Sequence, residues 1–359
     1  MNNVRLAVIG AGHLGKIHTR LAQQLEGVEF VGVVEPHDES RCAIAEEHDI
    51  LACAHHDDII DRIDAAVIAA PTKFHHSVAM DLIEAGKHVL IEKPITVTLD
   101  EADDIVRAAE QHNVVAAVGH VERFNPAFSA AAAHVKSPKY IEASRTSGFT
   151  FRSTDVGAVL DLMIHDLDAV LALVNSEIVD IQALGITIFG PHEDMVQARL
   201  TFANGCVANI SASRTSFVST RMTHVYAEDA YAQIDFGARK ARVVNLGEQL
   251  ADRGVDIYSI TDEQRQHIRE HLFEDPALLP ITDITPPECN PLQDEQQDFC
   301  DAIRFGRAPR VTARAGRETL WAAQRILSSI QRHRWDSSPQ GRIGPDAQPL
   351  QSLPLRKAG

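Results

Sequence analysis

The sequence of 359 residues is poor in aromatic side chains and in positive charge. Phe, Trp and Tyr make up only 5% of it, and 34 Lys and Arg stand against 50 Asp and Glu, for a formal net charge of −16. A surface this acidic repels a phosphate backbone at long range, and few aromatic rings are available to stack on unpaired bases. The composition therefore argues against a nucleic-acid partner, although a single nucleotide can still bind locally at a helix N-terminus.

Cysteines are scarce and irregularly spaced. They are Cys42, Cys53, Cys206, Cys289 and Cys300, and they form no CxxC pair. A sparse, odd-numbered set is typical of a reducing compartment, where thiols serve as small apolar residues. His55, His56 and Asp57 follow Cys53 closely and are candidate metal ligands, but so tight a group is more typical of a strand end and turn. We expect no metal there.

Long hydrophobic runs are also absent. No stretch approaches the roughly 20 apolar residues of a membrane span, and the N-terminal MNNVRLAVIGAG lacks the apolar core of a signal peptide. We therefore expect a cytoplasmic protein with no membrane partner. The length, with 45% apolar and 23% charged residues, predicts two globular domains.

The first third of the chain alternates short apolar runs with helical periods. Strands are predicted at residues 4–9, 30–35, 65–70, 88–92 and 114–119. Helices lie between them, and a capping box formed by Thr98 and Glu101 begins one of these. Apolar strands without alternation, separated by helices, indicate a parallel sheet covered on both faces. We predict a doubly wound α/β domain over residues 1–122.

After residue 122 the pattern changes to longer strands joined by turns. Strands are predicted at 139–151, 179–189, 195–202, 207–214 and 222–226, with one helical stretch at 157–174. Turns such as Asn204-Gly205 indicate antiparallel hairpins. We predict a substrate-binding and oligomerisation α+β domain over 123–335, built on an open, mostly antiparallel sheet, with closing helices at 293–304 and 313–332 and a loose tail at 336–359. A second subunit is the usual cover for an open sheet face, so we expect a homodimer or homotetramer.

A glycine loop follows the first strand. Gly10 permits its tight turn, Gly12 lets a pyrophosphate approach the backbone, and Gly15 lets the next helix pack closely. Free N–H groups and the helix dipole then bind the phosphate charge. Glu35, 20 residues after Gly15, is placed to bind the ribose hydroxyls and to repel a 2′-phosphate, which predicts NAD rather than NADP. We expect His18, on the helix, to be a packing residue rather than a chemical one.

Ligands of doubly wound sheets bind beyond the carboxyl ends of the strands. Those ends carry Pro71-Thr72, Glu92-Lys93-Pro94 and Gly119-His120. Pro94 excludes helix at Lys93 and holds it extended, which aims the amine into the crevice. Lys93 is therefore a candidate functional cation, and a lysine that merely covers the sheet edge is the alternative.

Asp161 and His165 form a second candidate pair. Their spacing of four places both on the same side of one helix, and the three residues between them are apolar. A histidine with a carboxylate one turn away has the parts of a general base and its orienting group. A surface polar stripe that includes Asp168 is the alternative.

Four motifs together resemble the Gfo/Idh/MocA oxidoreductase family. They are GAGHLGKIH at 10–18, PTKFHH at 71–76, EKP at 92–94 and DLMIHDLD at 161–168, in the family's order and spacing. The resemblance covers residues 3–332 and implies a nucleotide-binding domain followed by an open-sheet domain.

The same resemblance implies roles for individual residues. Lys93 would bind the substrate hydroxyl and assist proton transfer, His165 would be the acid/base, and Asp161 would orient the sugar or tune His165. The implied cofactor-binding residues are Gly10, Gly12, His13, Leu14, Gly15, Glu35, Pro71, Thr72, His75, Glu92 and Lys93.

The stretch GHVERFNP at 119–126 resembles the nucleotide-sugar branch of the family, which includes UDP-N-acetylglucosamine 3-dehydrogenases. Arg123 offers a planar fork to a phosphate or carboxylate, and Asn125 offers a donor and an acceptor to a sugar or acetamido group. A capped turn at the domain junction is the alternative. Arg145 and Arg214 either contact a diphosphate or pair with carboxylates of the sheet.

The resemblance, together with these residues, implies an enzyme that oxidises a ring hydroxyl, at C3, of a nucleotide sugar. His165 or Lys93 takes the proton as hydride passes to NAD, and the substrate-binding residues are Lys93, Arg123, Asn125, Asp161 and His165. Two alternatives remain open: a dehydrogenase of a free polyol or another sugar, and a non-catalytic NAD-binding sensor.

Overall fold

The structure is a computed structural model that describes residues 3–150, 156–189, 191–228, 230–247, 258–335 and 342–345. These residues form two compact units. The first unit takes those of Met1–Phe124 and Glu288–Ala322, and the second takes those of Asn125–Pro287 and those from Ala323 on. The chain thus leaves the first unit, builds the second, returns to the first and ends in the second.

The first unit, in its described residues, is built on a parallel sheet of six strands. They are β1 Val4–Ile9, β2 Val28–Val34, β3 Leu51–Cys53, β4 Ala65–Ile68, β5 His88–Glu92 and β6 Ala116–Gly119, in the order β3-β2-β1-β4-β5-β6. Every pairing between them is parallel. The strand order reverses between β1 and β4, which is the switch point where such sheets bind ligands.

Helices follow the strands of this sheet as α1 His13–Ala22, α2 Asp38–His48, α3 His75–Glu84 and α4 Leu99–His112. The predicted capping box begins α4: Glu101 donates its backbone N–H to the hydroxyl of Thr98 at 3.3 Å, and its carboxylate accepts the N–H of Thr98 at 3.0 Å. Asn113, with φ +53°, ends the helix. The doubly wound α/β architecture is confirmed.

The second unit is built on a sheet whose eight described strands pair mostly antiparallel. They are β7 Tyr140–Thr146, β8 Ile178–Ile186, β9 Met195–Phe202, β10 Val207–Ser213, β11 Thr220–Tyr226, β12 Ala230–Asp235, β13 Lys240–Asn245 and β14 Ile281–Ile284, in the order β14-β13-β12-β11-β7-β10-β9-β8. Within that sheet, only β7 and β10 pair in parallel. Gly205, with φ +84°, lies in the predicted turn between β9 and β10. The predicted open, mostly antiparallel sheet is confirmed.

Three described helices accompany this sheet: α5 Pro126–Ala132, α6 Ile164–Val174 and α7 Asp262–His271. Helices α5 and α6 pack against its strands. Buried and half-exposed residues alternate along β10 and β12, so one face of the sheet is covered and the other is open. The sequence pattern does not reveal β3, β12, β13, β14, α5 or α7. Two of the missed strands are short, β3 with three residues and β14 with four, so their periodicity is weak.

The last two helices of the described residues follow β14. The first, α8 Pro291–Phe305, belongs to the first unit, where Phe299 and Cys300 join the core formed with Leu6 and Val33. The second, α9 Ala313–Arg332, contributes residues up to Ala322 to the first unit and the remainder to the second.

Part of the segment predicted as a loose tail is described. Ile343 forms a β-bridge with Arg334, and the indole N–H of Trp335 donates to the carbonyl of Gly344 at 2.8 Å. The rest of the segment, 336–341 and 346–359, lies outside the described residues. In the described parts of the chain, no helix is long and apolar enough to cross a membrane.

Candidate active site

The glycine loop between β1 and α1 is tight at two positions and open at the third. Gly10 has φ +104°, and a Cβ there would lie 2.8 Å from the carbonyl oxygen of Ala69. A Cβ on Gly15 would lie 1.9 Å from the carbonyl oxygen of Gly10. Gly12, just before α1, would place a Cβ in open space, so a phosphate can approach the backbone there. His13 and Leu14 are exposed in the first turn of α1.

Glu35 follows β2 and is bonded to the glycine loop. One carboxylate oxygen accepts the backbone N–H of Ala11 at 2.8 Å, and the other accepts that of His37 at 2.9 Å. Both oxygens are therefore held, and a negative charge is fixed beside the loop. This arrangement fits a cofactor with free ribose hydroxyls better than one with a 2′-phosphate.

Glu92 and Lys93 lie at the end of β5. Glu92 is buried, and its Oε1 lies 2.6 Å from Nε2 of His18 in α1. Its Oε2 accepts the backbone N–H of Lys93 at 3.2 Å. Burial alone would raise the pKa of Glu92, but the hydrogen bond from His18 and the charges of His18 and Lys93 outweigh burial and lower that pKa. An ionised carboxylate therefore lies next to the Lys93 backbone.

His75, at the start of α3, ties the end of β4 to the turn after β5. The ring is buried, with Nε2 2.8 Å from the carbonyl oxygen of Ala70 and Nδ1 3.0 Å from that of Pro94. Pro71 is exposed and Thr72 is half-buried just before it. The first unit thus brings the predicted cofactor-binding residues together at the carboxyl ends of β1, β2, β4 and β5.

Asp161 and His165 lie on successive turns of one helical run in the second unit. Val159–Met163 is π-helical and continues directly into α6, and both side chains are half-buried. The flanking Asp166 and Asp168 are 1% and 2% exposed. The motif is therefore not a surface polar stripe. π-helical segments are rare and occur frequently at functional sites.

A glutamate that the sequence pattern does not single out holds the start of this run. The carboxylate of Glu193 accepts the backbone N–H of Val159 at 3.2 Å, and its carbonyl accepts that of Ala158 at 2.9 Å. Burial raises the pKa of Glu193. A Cβ on Gly157 would lie 2.0 Å from Oε1 of Glu193, so glycine leaves room for this contact. Glu193 lies between β8 and β9, far along the chain, and no local signal connects it to Asp161.

The two arginines considered for a diphosphate form buried ion pairs instead. Arg145 binds Asp166 through Nε at 2.9 Å and Nη2 at 3.0 Å. Arg214 binds Asp194 through Nε at 2.6 Å, and its Nη1 donates to the carbonyl of Val156 at 2.8 Å. Both arginines therefore pair with carboxylates, although Asp166 lies in α6 and Asp194 just before β9 rather than in the strands of the sheet.

The junction residues lie in different units. Arg123 is half-buried in a short 3-10 turn at 121–124 of the first unit. Asn125 is buried at the start of α5: its Oδ1 accepts the N–H of Ala127 at 3.1 Å, and its Nδ2 donates to the carbonyl of Phe236 at 3.1 Å. Asn125 thus caps a helix, and its contact with a substrate stays a prediction, as does that of Arg123.

The His55-His56-Asp57 group has structural contacts of its own. The potential ligand atoms of these three residues lie within 4.8 Å of one another. Nδ1 of His55 accepts the backbone N–H of Asp57 at 3.4 Å, and Nε2 of His56 lies 3.0 Å from a carboxylate oxygen of Asp81. That no metal binds here stays a prediction.

Two family models match the chain in succession. Residues 4–120 match the model of an oxidoreductase family with an NAD-binding Rossmann fold, and residues 117–233 match the GFO/IDH/MocA C-terminal domain. The chain belongs to the GFO/IDH/MocA oxidoreductase family. The resemblance seen in the four motifs is confirmed, and with it an NAD-dependent oxidoreductase.

Relatives and solved structures agree with this membership. The chain is 33% identical over 333 residues to UDP-N-acetylglucosamine 3-dehydrogenase of Acidithiobacillus ferrooxidans, covering 92% of this chain and 98% of that relative. A solved structure of that enzyme matches with a TM-score of 0.79 and 31% identity over 92% of this chain and 98% of that chain. The scyllo-inositol 2-dehydrogenase (NAD(+)) of Bacillus subtilis is 28% identical over 87% of this chain and 89% of that relative.

Glu35 should make NAD bind at least about tenfold more tightly than NADP, because its carboxylate repels a 2′-phosphate and each lost charged hydrogen bond costs roughly 1.5–3 kcal/mol. Fluorescence titration with both cofactors measures this ratio. In Glu35→Gln the ratio should shrink, whereas Glu39→Gln, which removes an exposed carboxylate from the first turn of α2, should leave it unchanged. Equal affinities in the wild-type protein would remove Glu35 from the site.

Proposed function

We propose that this protein oxidises a ring hydroxyl, at C3, of a nucleotide sugar such as UDP-N-acetylglucosamine, with NAD as the cofactor. The observation that carries the proposal is the 33% identity to UDP-N-acetylglucosamine 3-dehydrogenase over 92% of this chain and 98% of that relative. The presence of Lys93, Asp161 and His165 in the motifs of the family supports a catalytic protein over an NAD-binding sensor.

The chemistry requires a proton and a hydride to leave the same carbinol group. NAD held at the glycine loop supplies the hydride acceptor. We propose that Lys93 binds the reacting hydroxyl through its ammonium group while His165 accepts the hydroxyl proton, or that Lys93 accepts that proton itself as a neutral amine. In either case Asp161 orients the sugar or tunes His165. Arg123 and Asn125 would contact the remainder of the substrate.

A substrate panel tests the proposal directly. Reduction of NAD, followed by absorbance, should be fastest with UDP-N-acetylglucosamine or a related UDP-hexosamine and slow with free sugars. The identity to the scyllo-inositol enzyme makes a free polyol the second candidate substrate. Faster turnover with inositols than with any UDP-sugar would replace the first candidate by the second, and NAD binding without turnover on any sugar would favour a sensor.

Substitutions of the two candidate proton-transfer residues should have different effects on kcat and KM. Lys93→Ala and His165→Ala should leave NAD affinity largely intact, because the glycine loop and Glu35 supply most cofactor contacts. Turnover should fall about 10²–10⁴-fold for the residue that moves the proton, and the other should lose less in kcat and more in KM.

Steady-state kinetics and cofactor titration of these variants give the comparison. Lys136→Ala and His134→Ala, which change exposed residues of the same types after α5, are the controls and should behave as wild type. Wild-type turnover in both Lys93→Ala and His165→Ala would place the active site elsewhere.

Asp161→Asn should preserve the fold and shift the pH–rate profile. Loss of a negative charge one helical turn from His165 makes it easier for that ring to give up a proton, so the ascending limb of kcat/KM should move to lower pH. Asp180→Asn, in the exposed part of β8, should leave the profile in place. An unmoved limb in Asp161→Asn would show that this carboxylate does not act on His165.

We also place the protein in the cytoplasm. None of its five cysteines, all of which lie in the described residues, forms a disulfide, as expected in a reducing compartment. Cys206 and Cys300 are buried, and burial raises the pKa of Cys300 to about 12. A thiol with so high a pKa is a packing residue rather than a reactive one.

We propose that the open face of the sheet in the second unit is the surface that forms the oligomer. Three tyrosines lie together on it: the rings of Tyr140 and Tyr226 are 5.7 Å apart, and those of Tyr226 and Tyr231 are 4.9 Å apart. Nδ1 of His224 lies 2.6 Å from the hydroxyl of Tyr231, and Asn209 donates to that of Tyr140 at 2.9 Å. These ordered amphipathic rings form the kind of surface that is enriched at protein interfaces.

Light scattering should therefore report a dimer or tetramer at micromolar concentration. Tyr226→Glu places a charge in the middle of the tyrosine cluster and should weaken the assembly. Tyr258→Glu makes the same change at a residue that is 96% exposed outside the sheet, and should not. A mass of 39.4 kDa for the wild-type protein would contradict the proposal.

A further inference from the structure

His18 is buried directly beneath the turn that carries Lys93. Its ring has no exposed surface, and its Nε2 lies 2.6 Å from Oε1 of Glu92, which is itself only 8% exposed. His18 comes from the second turn of α1, and Glu92 is the last residue of β5. The contact therefore connects the glycine-loop helix to the strand that ends at Lys93.

The Glu92 carboxylate that contacts His18 also binds the Lys93 backbone. Its second oxygen accepts the backbone N–H of Lys93 at 3.2 Å, so this one carboxylate connects the buried ring of His18 to Lys93. A Cβ on Gly119 of the neighbouring strand would lie 3.1 Å from that oxygen, which leaves the carboxylate little room to move. On the other side of the turn, His75 holds the carbonyl of Pro94 at 3.0 Å.

A buried carboxylate that loses its hydrogen-bond donor does not keep both its position and its charge. It must rotate towards water, take up a proton or draw another donor towards it, because leaving an uncompensated charge buried is strongly destabilising. Each of these responses moves or neutralises the group that holds the Lys93 N–H. A shift of about 1 Å in a group that holds substrate can cost roughly 10²-fold in rate.

We propose that His18 is a positioning residue for Lys93, acting through the Glu92 carboxylate. The inference rests on the substrate-binding role proposed above for Lys93. His18 fixes the backbone from which the Lys93 side chain extends, and it keeps a negative charge beside that ammonium group. Both effects favour a cation held in one place for a substrate hydroxyl, and neither requires His18 to touch substrate or cofactor.

Two amide variants of His18 test this role. His18→Gln can place its amide nitrogen where Nε2 lies, whereas the shorter side chain of His18→Asn cannot reach the Glu92 carboxylate. We expect His18→Asn to lose about 10–100-fold in kcat/KM with NAD affinity within threefold of wild type, and His18→Gln to recover most of that loss. Equal kcat/KM values for the two variants would overturn the proposal.

His56→Asn is the matched structural control. Nε2 of His56 lies 3.0 Å from a carboxylate oxygen of Asp81, so this variant also breaks a contact between a buried histidine and a carboxylate in the first unit. We expect it to lower the Tm while leaving kcat/KM near the wild-type value. A loss of kcat/KM equal to that of His18→Asn would mean that destabilisation alone explains both.

A double-mutant cycle decides whether His18 acts through Glu92. In a Glu92→Gln background, His18→Asn should reduce kcat/KM by no more than about twofold, because the carboxylate that it acts on is already gone. Full additivity of the two losses would show that His18 works by another route.

Lys93→Ala, measured alongside, separates this inference from the proposed function. If Lys93→Ala is impaired and His18→Asn turns over like wild type, only the role of His18 is wrong. If Lys93→Ala itself turns over like wild type, the role proposed for Lys93 is wrong and that of His18 is overturned with it.

Discussion

A carboxylate taken partly or fully out of water needs hydrogen-bond donors, and this requirement shapes both units around their candidate functional residues. Glu35 takes its donors from the glycine loop and its own turn, and Glu92 from a buried histidine ring and the next backbone N–H. In the second unit, Glu193 holds the start of the π-helical segment, and Asp166 binds an arginine from β7. In most of these contacts the donor and the carboxylate come from different elements, so the same bonds connect helices, strands and loops.

The predictions that succeeded rest on local patterns. Apolar runs between helical periods identify the parallel sheet, and the spacing of Gly10, Gly12 and Gly15 identifies the loop after its first strand. The capping box at Thr98 has both of its predicted bonds. The four motifs identify the family because each is a short run whose residues stay neighbours in the fold.

The parts that could not be predicted depend on partners far apart in the chain. His18 is buried, as expected of a packing residue, but its ring bonds to a carboxylate 74 positions away. Whether Arg145 and Arg214 bind a ligand or a carboxylate depends on which acidic residue the folded chain places beside each of them. Glu193 contacts Gly157 only because β8, the strand before it, returns to the start of the π-helical segment. No periodicity in the sequence predicts that contact.

The return of α8 to the first unit has a consequence for how the chain folds as it is made. Phe299 and Cys300 belong to the same core as Leu6 and Val33, so about 300 residues must leave the ribosome before that core is filled. Until then the nascent first unit keeps an apolar surface uncovered while the whole second unit is synthesised. An N-terminal fragment ending at Phe124 is therefore an incomplete unit, and chaperones have a long interval in which to bind it.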